Sequence, residues 1–222
     1  MAKNLDQFLL SLEPSEEDAF RENAMPLVFK KNHNIFANGD NPDYIYYIEK
    51  GRVTIYRLTK DGNTVTVAIR HPGELFGLAE AFMEKPRKCF AQAIETTSVL
   101  AVRTEDFKNI LRIIPELSIK INMVLANRLR RAEGIIYDLI NYNVSGRLAR
   151  FLLGLQEQCG RICGTGVVLD IKLTHNDIAA IIGSTRQSVT QTLNEFKDEG
   201  CISIEDKKIV LLNKRKLQQK VY

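Results

Sequence analysis

The sequence predicts an α+β chain: a small antiparallel β-barrel or roll first, one long helix next, a winged helix-turn-helix last. Three observations carry this. Residues 26–103 are rich in β-branched and aromatic runs broken by turn signals. From Leu117 to Leu139, apolar residues recur every three or four positions. Beyond Ser145, two short amphipathic helices meet at Gly183 and a strand pair follows.

In chain order, helix candidates come first, at Leu5–Leu12 and Ser15–Glu22. The runs "YIYYIEKG", "RVTIYRLTKDG" and "NTVTVAIRHPG" read as strands. Turns are expected at Gly39-Asp40, Lys50-Gly51, Asp61-Gly62 and Pro72-Gly73. "CFAQAIETTSVLAVR" reads as one last long strand. Even spacing of this kind suggests a closed roll. Thr104 is the expected cap of a lead-in helix, "EDFKNILRII", that ends before Pro115. Leu117, Ile121, Leu125, Leu129, Ala132, Ile136 and Leu139 then form a narrow stripe. A helix that long would protrude from either flanking unit. An identical partner in a parallel coiled coil would cover its stripe; the plainer alternative is packing on its own barrel. Further on, "GRLARFLLGLQEQC" reads as one helix, and "LTHNDIAAIIG" as another with Thr174 as N-cap. "CISIEDKKIVLLN" reads as two strands around a Glu205-Asp206-Lys207 turn. The expected division is residues 1–110, 111–142 and 143–222.

Composition narrows the class. At 45% hydrophobic and 26% charged, the 222 residues are those of an ordinary globular protein. No stretch approaches eighteen uninterrupted apolar residues, and the start lacks an apolar signal core with a cleavage site. A cytoplasmic protein that does not engage a membrane is expected. Cys89, Cys159, Cys163 and Cys201 are then expected as reduced thiols. The net charge of +4 is unevenly spread: Ser145 onward carries 12 Lys+Arg against 8 Asp+Glu, and the preceding residues carry 19 of each. That is a mild pointer to a polyanion partner at the C-terminal end. No Walker loop, HExxH, GxSxG or paired metal motif is present, so an enzyme is not expected.

The stretch "GSTRQSVTQTLNEFKDEG", residues 183–200, is the most telling. Val189, Leu193 and Phe196 form a core stripe. Its first turn holds Ser184, Thr185, Arg186, Gln187 and Ser188. In a helix-turn-helix the start of the second helix meets base edges. Arginine fits guanine O6/N7, and glutamine fits adenine N6/N7. Arg186, Gln187 and Gln191 are therefore candidate base readers. Ser184, Thr185, Ser188 and Thr190 suit phosphates, with Thr174 nearby. The alternative is a plain solvated helix face.

"LTHNDIAAIIGSTRQSVTQTLNEFKDEGCIS" resembles the DNA-binding signature of the cAMP receptor protein/FNR family of bacterial regulators, and "PGELFG" resembles the same family's effector domain. With the long helix and "GRLARFL", the resemblance covers nearly the whole chain. It implies a homodimeric transcription regulator acting with RNA polymerase. Each subunit would have a cyclic-nucleotide-binding-type β-roll, a dimerisation helix and a winged helix-turn-helix on double-stranded DNA. The Arg-Gln pair also resembles the carbon-monoxide-sensing branch, which implies a TGT-containing inverted repeat.

The effector region departs from the nucleotide-binding members. Their glycine-glutamate-leucine turn corresponds to Gly77-Leu78-Ala79, without the ribose-binding glutamate, and their Arg-Ser pair to Lys88-Cys89. Arg87 and Lys88 still offer positive charge, and the amides after Gly77 could receive an anion at the start of "LAEAF". The iron-sulfur branch needs an N-terminal cysteine cluster, whereas the first cysteine here is Cys89. The haem branch needs a histidine or cysteine just after the Gly77 position, so neither group is expected. "NRLRRAEG" and "FGLAEAF" resemble the cyanobacterial nitrogen regulators. That likeness implies a 2-oxoglutarate-like anion near Arg128 and Glu133. The candidate effector set is Gly73, Glu74, Phe76, Gly77, Leu78, Ala79, Arg87, Lys88, Cys89, Arg128, Ala132 and Glu133. A thiol-sensing regulator of the same fold and a metabolite-binding module acting on a protein partner are the alternatives.

Overall fold

The computed structural model describes residues 13–62, 64–164, 166–171, 173–206 and 208–221. The helix expected at Leu5–Leu12 lies outside them. The chain divides into two compact units at Arg130/Arg131.

The first unit opens with α1 (Pro14–Glu22), whose Glu16 carboxylate accepts the Glu13 amide at 2.7 Å in a capping box. Eight strands follow: β1 (Ala24–Phe29), β2 (Asn34–Phe36), β3 (Tyr44–Lys50), β4 (Val53–Leu58), β5 (Thr64–Arg70), β6 (Leu75–Phe76), β7 (Phe90–Ala93) and β8 (Thr97–Arg103). A short α2 (Leu78–Met83) sits between β6 and β7. The strands form two antiparallel sheets, ordered β1-β8-β3-β6 and β2-β7-β4-β5. Side chains alternate along β3. Ile45 and Tyr47 enter one core with Phe20, Leu75, Phe107, Leu117 and Ile121; Tyr46 and Ile48 enter a second with Phe36, Val53, Phe76 and Val99. A strand buried on both faces reads as a continuous apolar run, which is why "YIYYI" shows little alternation.

One strand expectation is corrected. "CFAQAIETTSVLAVR" is two strands, β7 and β8, because the chain changes sheets: β7 pairs with β2 and β4, β8 with β1 and β3. Side-chain patterning carries no trace of that change of partners. Gly51 backs this corner with a φ of 84°, where an added Cβ would stand 2.5 Å from Thr97 Oγ1.

Helices α3 (Thr104–Ile113) and α4 (Pro115–Asn141) follow. Thr104 is not the cap; it is the first helical residue, and its hydroxyl donates to the Pro42 carbonyl. Pro115 opens α4, where a missing N–H costs nothing. The α4 stripe splits in two. Leu117 and Ile121 are buried in the roll core. Leu129, Ile136, Leu139 and Ile140 are exposed, Ile140 to 78%.

The second unit carries α5 (Val144–Cys159), β9 (Gly160–Cys163), β10 (Gly166–Leu169), α6 (His175–Ile182), α7 (Arg186–Asp198), β11 (Ile202–Glu205), β12 (Lys208–Leu211) and α8 (Lys214–Gln219). Its sheet runs β11-β12-β10-β9. Leu148, Leu152, Ile178, Val189, Leu193, Phe196 and Ile202 form the core. The sequence reading had no strand at β9. There Cys159 ends α5 and Cys163 ends the edge strand, so "CGRIC" is a helix-to-strand junction. Among the described residues, no helix is long and apolar enough to cross a membrane and no cluster could hold a metal ion.

Candidate functional site

The reading helix is built by its caps. Thr174 Oγ1 accepts the Asp177 amide at 3.1 Å, and the Asp177 carboxylate accepts the Thr174 amide at 2.8 Å. This closes the start of α6. Gly183 ends α6 with a left-handed φ of 63°. Thr185 then caps α7, accepting the Ser188 amide at 3.1 Å. Arg186 is thus the first helical residue. Arg147 clamps the turn: Nε donates to Ile182 O, Nη1 to Tyr142 O (both 2.8 Å) and Nη2 to Gly183 O at 3.2 Å. The sequence reading had not singled out Arg147, since all its partners are backbone carbonyls and leave no residue pattern.

Along α7, Val189, Leu193 and Phe196 face the core. Arg186, Gln187, Thr190, Gln191 and Asn194 line a shallow concavity of about 600 Å³ on the other side. The expected base readers share this face, and Asn194 joins them. Gln191 is held by Glu195 at 3.1 Å. The hydroxyls are less free than the sequence suggested. Thr185 is occupied by its cap and by Ser188 Oγ at 2.9 Å. Thr190 donates to the Arg186 carbonyl at 2.8 Å.

In the roll, Gly73 and Glu74 are tied to β3: the Gly73 amide donates to Ile48 O (2.8 Å) and the Ile48 amide to Glu74 O (3.0 Å). Gly77 follows Phe76 with a φ of 83° and caps α2. Its carbonyl accepts Arg87 Nη1 at 2.7 Å, while Arg87 Nη2 donates to Tyr44 O. The guanidinium lies 4.4 Å above the Phe36 ring and 3.7 Å from Glu80, and the residue is 2% exposed. Burial pulls its pKa below the usual arginine value, against the pull of Tyr46, Glu80 and Asp43. Among the described residues, Arg87 Nε has no hydrogen-bond partner.

The sequence reading matched the family's Arg-Ser pair to Lys88-Cys89 and offered Arg87 and Lys88 alike as positive charge. Here Arg87 is the one turned in to Gly77, while Lys88 is exposed and Cys89 half-buried. A guanidinium fork does therefore stand at the Gly77 turn, beside exposed Ala79 and buried Leu78. Glu74 lies between Arg70 (3.4 Å) and Arg128 (4.0 Å), and Arg128 also donates to Leu75 O. Gly73 to Cys89 and Arg128 share the first unit, whereas Ala132 and Glu133 fall in the second, exposed on α4.

Cys89, Cys159 and Cys201 are poorly disposed to react. Burial raises the pKa of Cys89, Cys159 and Cys201, with added help from Glu80, Asp170 and Glu199 respectively. Less thiolate means a slower nucleophile. The turn also bears on a cyclic nucleotide. Arg87 brings positive charge to it with both terminal nitrogens engaged by the Gly77 and Tyr44 carbonyls, and Leu78 and Ala79 offer no carboxylate for a ribose.

A β-roll with a basic turn, joined in one chain to a winged helix-turn-helix, defines a sensor-and-reader regulator of transcription. Residues 26–113 match the family model "Cyclic nucleotide-binding domain", and residues 146–220 match "Crp-like helix-turn-helix domain". The chain is 31% identical over 209 residues to a CRP-like cAMP-activated global transcriptional regulator of Mycobacterium tuberculosis, covering 94% of this chain and 93% of that one. It is 34% identical over 185 residues to a global nitrogen regulator of Nostoc, covering 82% and 83%. A CooA mutant from Carboxydothermus hydrogenoformans superposes with a TM-score of 0.81 at 26% identity, over 100% of this chain and 97% of that one. The chain belongs to the cAMP receptor protein/FNR family of transcription regulators. Its relatives are regulators rather than enzymes.

Proposed function

We propose that this chain works as a homodimer that reads an inverted-repeat operator through α7, under the control of a small anionic effector held at the Gly77 turn. The observation that carries the reading is the α7 face, where one arginine and two glutamines line one concavity at the start of a well-capped helix. Arg186 and Gln187 contact base edges, and Gln191 reads one turn further along. Residues 1–110 sense, 111–142 dimerise and 143–222 read. The exposed Leu129, Ile136, Leu139 and Ile140 support pairing through α4, since an apolar surface of this kind marks an interface. RNA polymerase is the downstream partner.

Arg87 supports an anionic effector, with Lys88 and Arg128 as further cations. The cAMP-activated relative favours a cyclic nucleotide, and the likeness of "NRLRRAEG" and "FGLAEAF" to the nitrogen regulators favours a 2-oxoglutarate-like anion. A thermal-shift panel of cyclic nucleotides, 2-oxoglutarate and other small carboxylates decides between them. A ligand at a hundred times its Kd adds about 2.7 kcal/mol.

The function itself is tested by operator selection, then by fluorescence anisotropy across a salt series with the mass of the complex. A dimer with sequence-selective, salt-sensitive binding is expected. Arg186→Ala should cost about 1–3 kcal/mol and relax specificity at one base pair. Sequence-indifferent binding by a monomer would overturn the reading.

A further inference from the structure

One side chain of the second unit ties together two places far apart in the chain. Arg147 lies near the start of α5 and is half-buried. Its Nη1 donates to Tyr142 O, just past α4. Its Nε and Nη2 donate to Ile182 O and Gly183 O, at the end of α6. The last carbonyls of a helix have no partner within it and carry its negative end. One guanidinium therefore serves the ends of two helices at once. Its planar fork fixes directions as well as distances.

Further contacts brace the same corner. Arg150 Nε stands 3.3 Å from Asp138 Oδ1 of α4, and its guanidinium lies 4.9 Å above the Tyr142 ring. Leu139 of α4 lies against the α6–α7 turn, where a Cβ built on Gly183 would stand 3.0 Å from Leu139 Cδ2. Only Tyr142 and Asn143 separate α4 from α5, and Asn143 caps α5 by accepting the Gly146 amide at 2.8 Å. All these groups belong to the second unit, as do Ile136 and Ile140, exposed on α4.

We propose that Arg147 sets the spacing of the operator's half-sites: it is a positioning residue that fixes α7 to the end of α4. The proposal rests on the homodimer and the α7 reading proposed above. In a dimer that pairs through α4, the two copies of Ile136 and Ile140 have fixed places at the seam. Each α7 then stands where the α4–α5 corner puts it. Arg186, Gln187 and Gln191 recognise bases within a half-site, but the distance between half-sites is a geometric property of the dimer. Adding one base pair displaces a half-site by about 3.4 Å and turns it by about 35°. A corner held only by a two-residue link absorbs that step easily. A corner held by the fork does not, because following the step pulls the guanidinium off one helix end and leaves its carbonyls without donors.

The test takes the best operator from selection and varies the spacer between its half-sites by one and two base pairs in each direction. Kd is measured by fluorescence anisotropy for wild type, Arg147→Gln and Arg147→Lys. Each profile is read relative to that protein's own tightest site. The wild type is expected to lose at least about tenfold per base pair of misfit. Arg147→Gln, a neutral donor too short to span both helix ends, should lose about threefold or less. Arg147→Lys keeps the charge but reaches one helix end at a time, so its profile should fall between them. A merely structural role would weaken binding at every spacing alike. Parallel profiles therefore overturn the assignment and leave base reading intact. So does a wild type that accepts every spacing equally. Where Arg147→Gln lacks a native circular dichroism spectrum, Arg147→Lys carries the same comparison. A wild type that binds no operator at any spacing overturns the DNA-reading role itself.

Discussion

Replacing Arg87 with methionine removes a cation that the roll uses as a brace. The fork donates to Gly77 O and Tyr44 O, joining the β6–α2 turn to the start of β3. A hydrogen bond from a charged group contributes about 1.5–3 kcal/mol, and a desolvated cation over a ring about 2. Those gross gains total roughly 5–8 kcal/mol. Against them stands the cost of keeping a guanidinium out of water, several kcal/mol for a buried ion. Methionine keeps the stem's packing over Phe36 and avoids that cost. It leaves two part-buried carbonyls without donors, at about 1–3 kcal/mol each. We expect a net loss of about 2–4 kcal/mol, or roughly 4–16 °C in Tm for a chain of this size. The assay is urea unfolding of the effector-free protein, read as a lower midpoint at unchanged slope. Lysine at 87 reaches one carbonyl and not both, so Arg87→Lys should recover about half of the loss. A loss below about 1 kcal/mol for Arg87→Met would refute the brace.

Three further outcomes follow from the same geometry. Gly183→Ala should cost about 1–2 kcal/mol of backbone strain, because φ is 63°. Its new Cβ would also stand 3.0 Å from Leu139 Cδ2, so adding Leu139→Ala should relieve crowding but not strain in thermal unfolding. Thr174→Ala should destabilise the second unit by about 1 kcal/mol through the lost capping box, seen as faster amide exchange at the start of α6. Burial alone would raise the Glu16 pKa, but the Lys120 ammonium and the Glu13 amide outweigh it and hold the carboxyl below its usual value. Its stability contribution is thus present above the ordinary glutamate pKa and lost as pH falls through the lowered folded one. An acid titration should show Lys120→Met shifting the unfolding midpoint to higher pH.

How much of this was legible in the sequence depends on the range of the forces involved. Thr174 and Gly183 act on backbone groups three or four residues away, so their spacing sufficed to bound α6, whereas Thr185, read as part of the first turn of α7, is its cap. The α7 core stripe follows from helical periodicity, and the face bearing Arg186, Gln187 and Gln191 is what remains opposite it. Strands β3, β4 and β5 of the roll also came from local composition, whereas β1, β2 and β6 were not singled out. What the sequence could not carry was pairing between distant segments. The break between β7 and β8 exists because two sheets claim different partners. Leu117 and Leu129 look alike in the stripe, yet one packs on the roll and the other is exposed. Arg87 and Lys88 are neighbours of like charge, and only the Gly77 and Tyr44 carbonyls, 10 and 43 residues away, select which turns inward. The order of elements and the caps that bound them belong to the sequence. Which of several equivalent side chains meets a carbonyl, a core or a solvent face is decided by tertiary packing, because those energies depend on distances that only the folded chain defines.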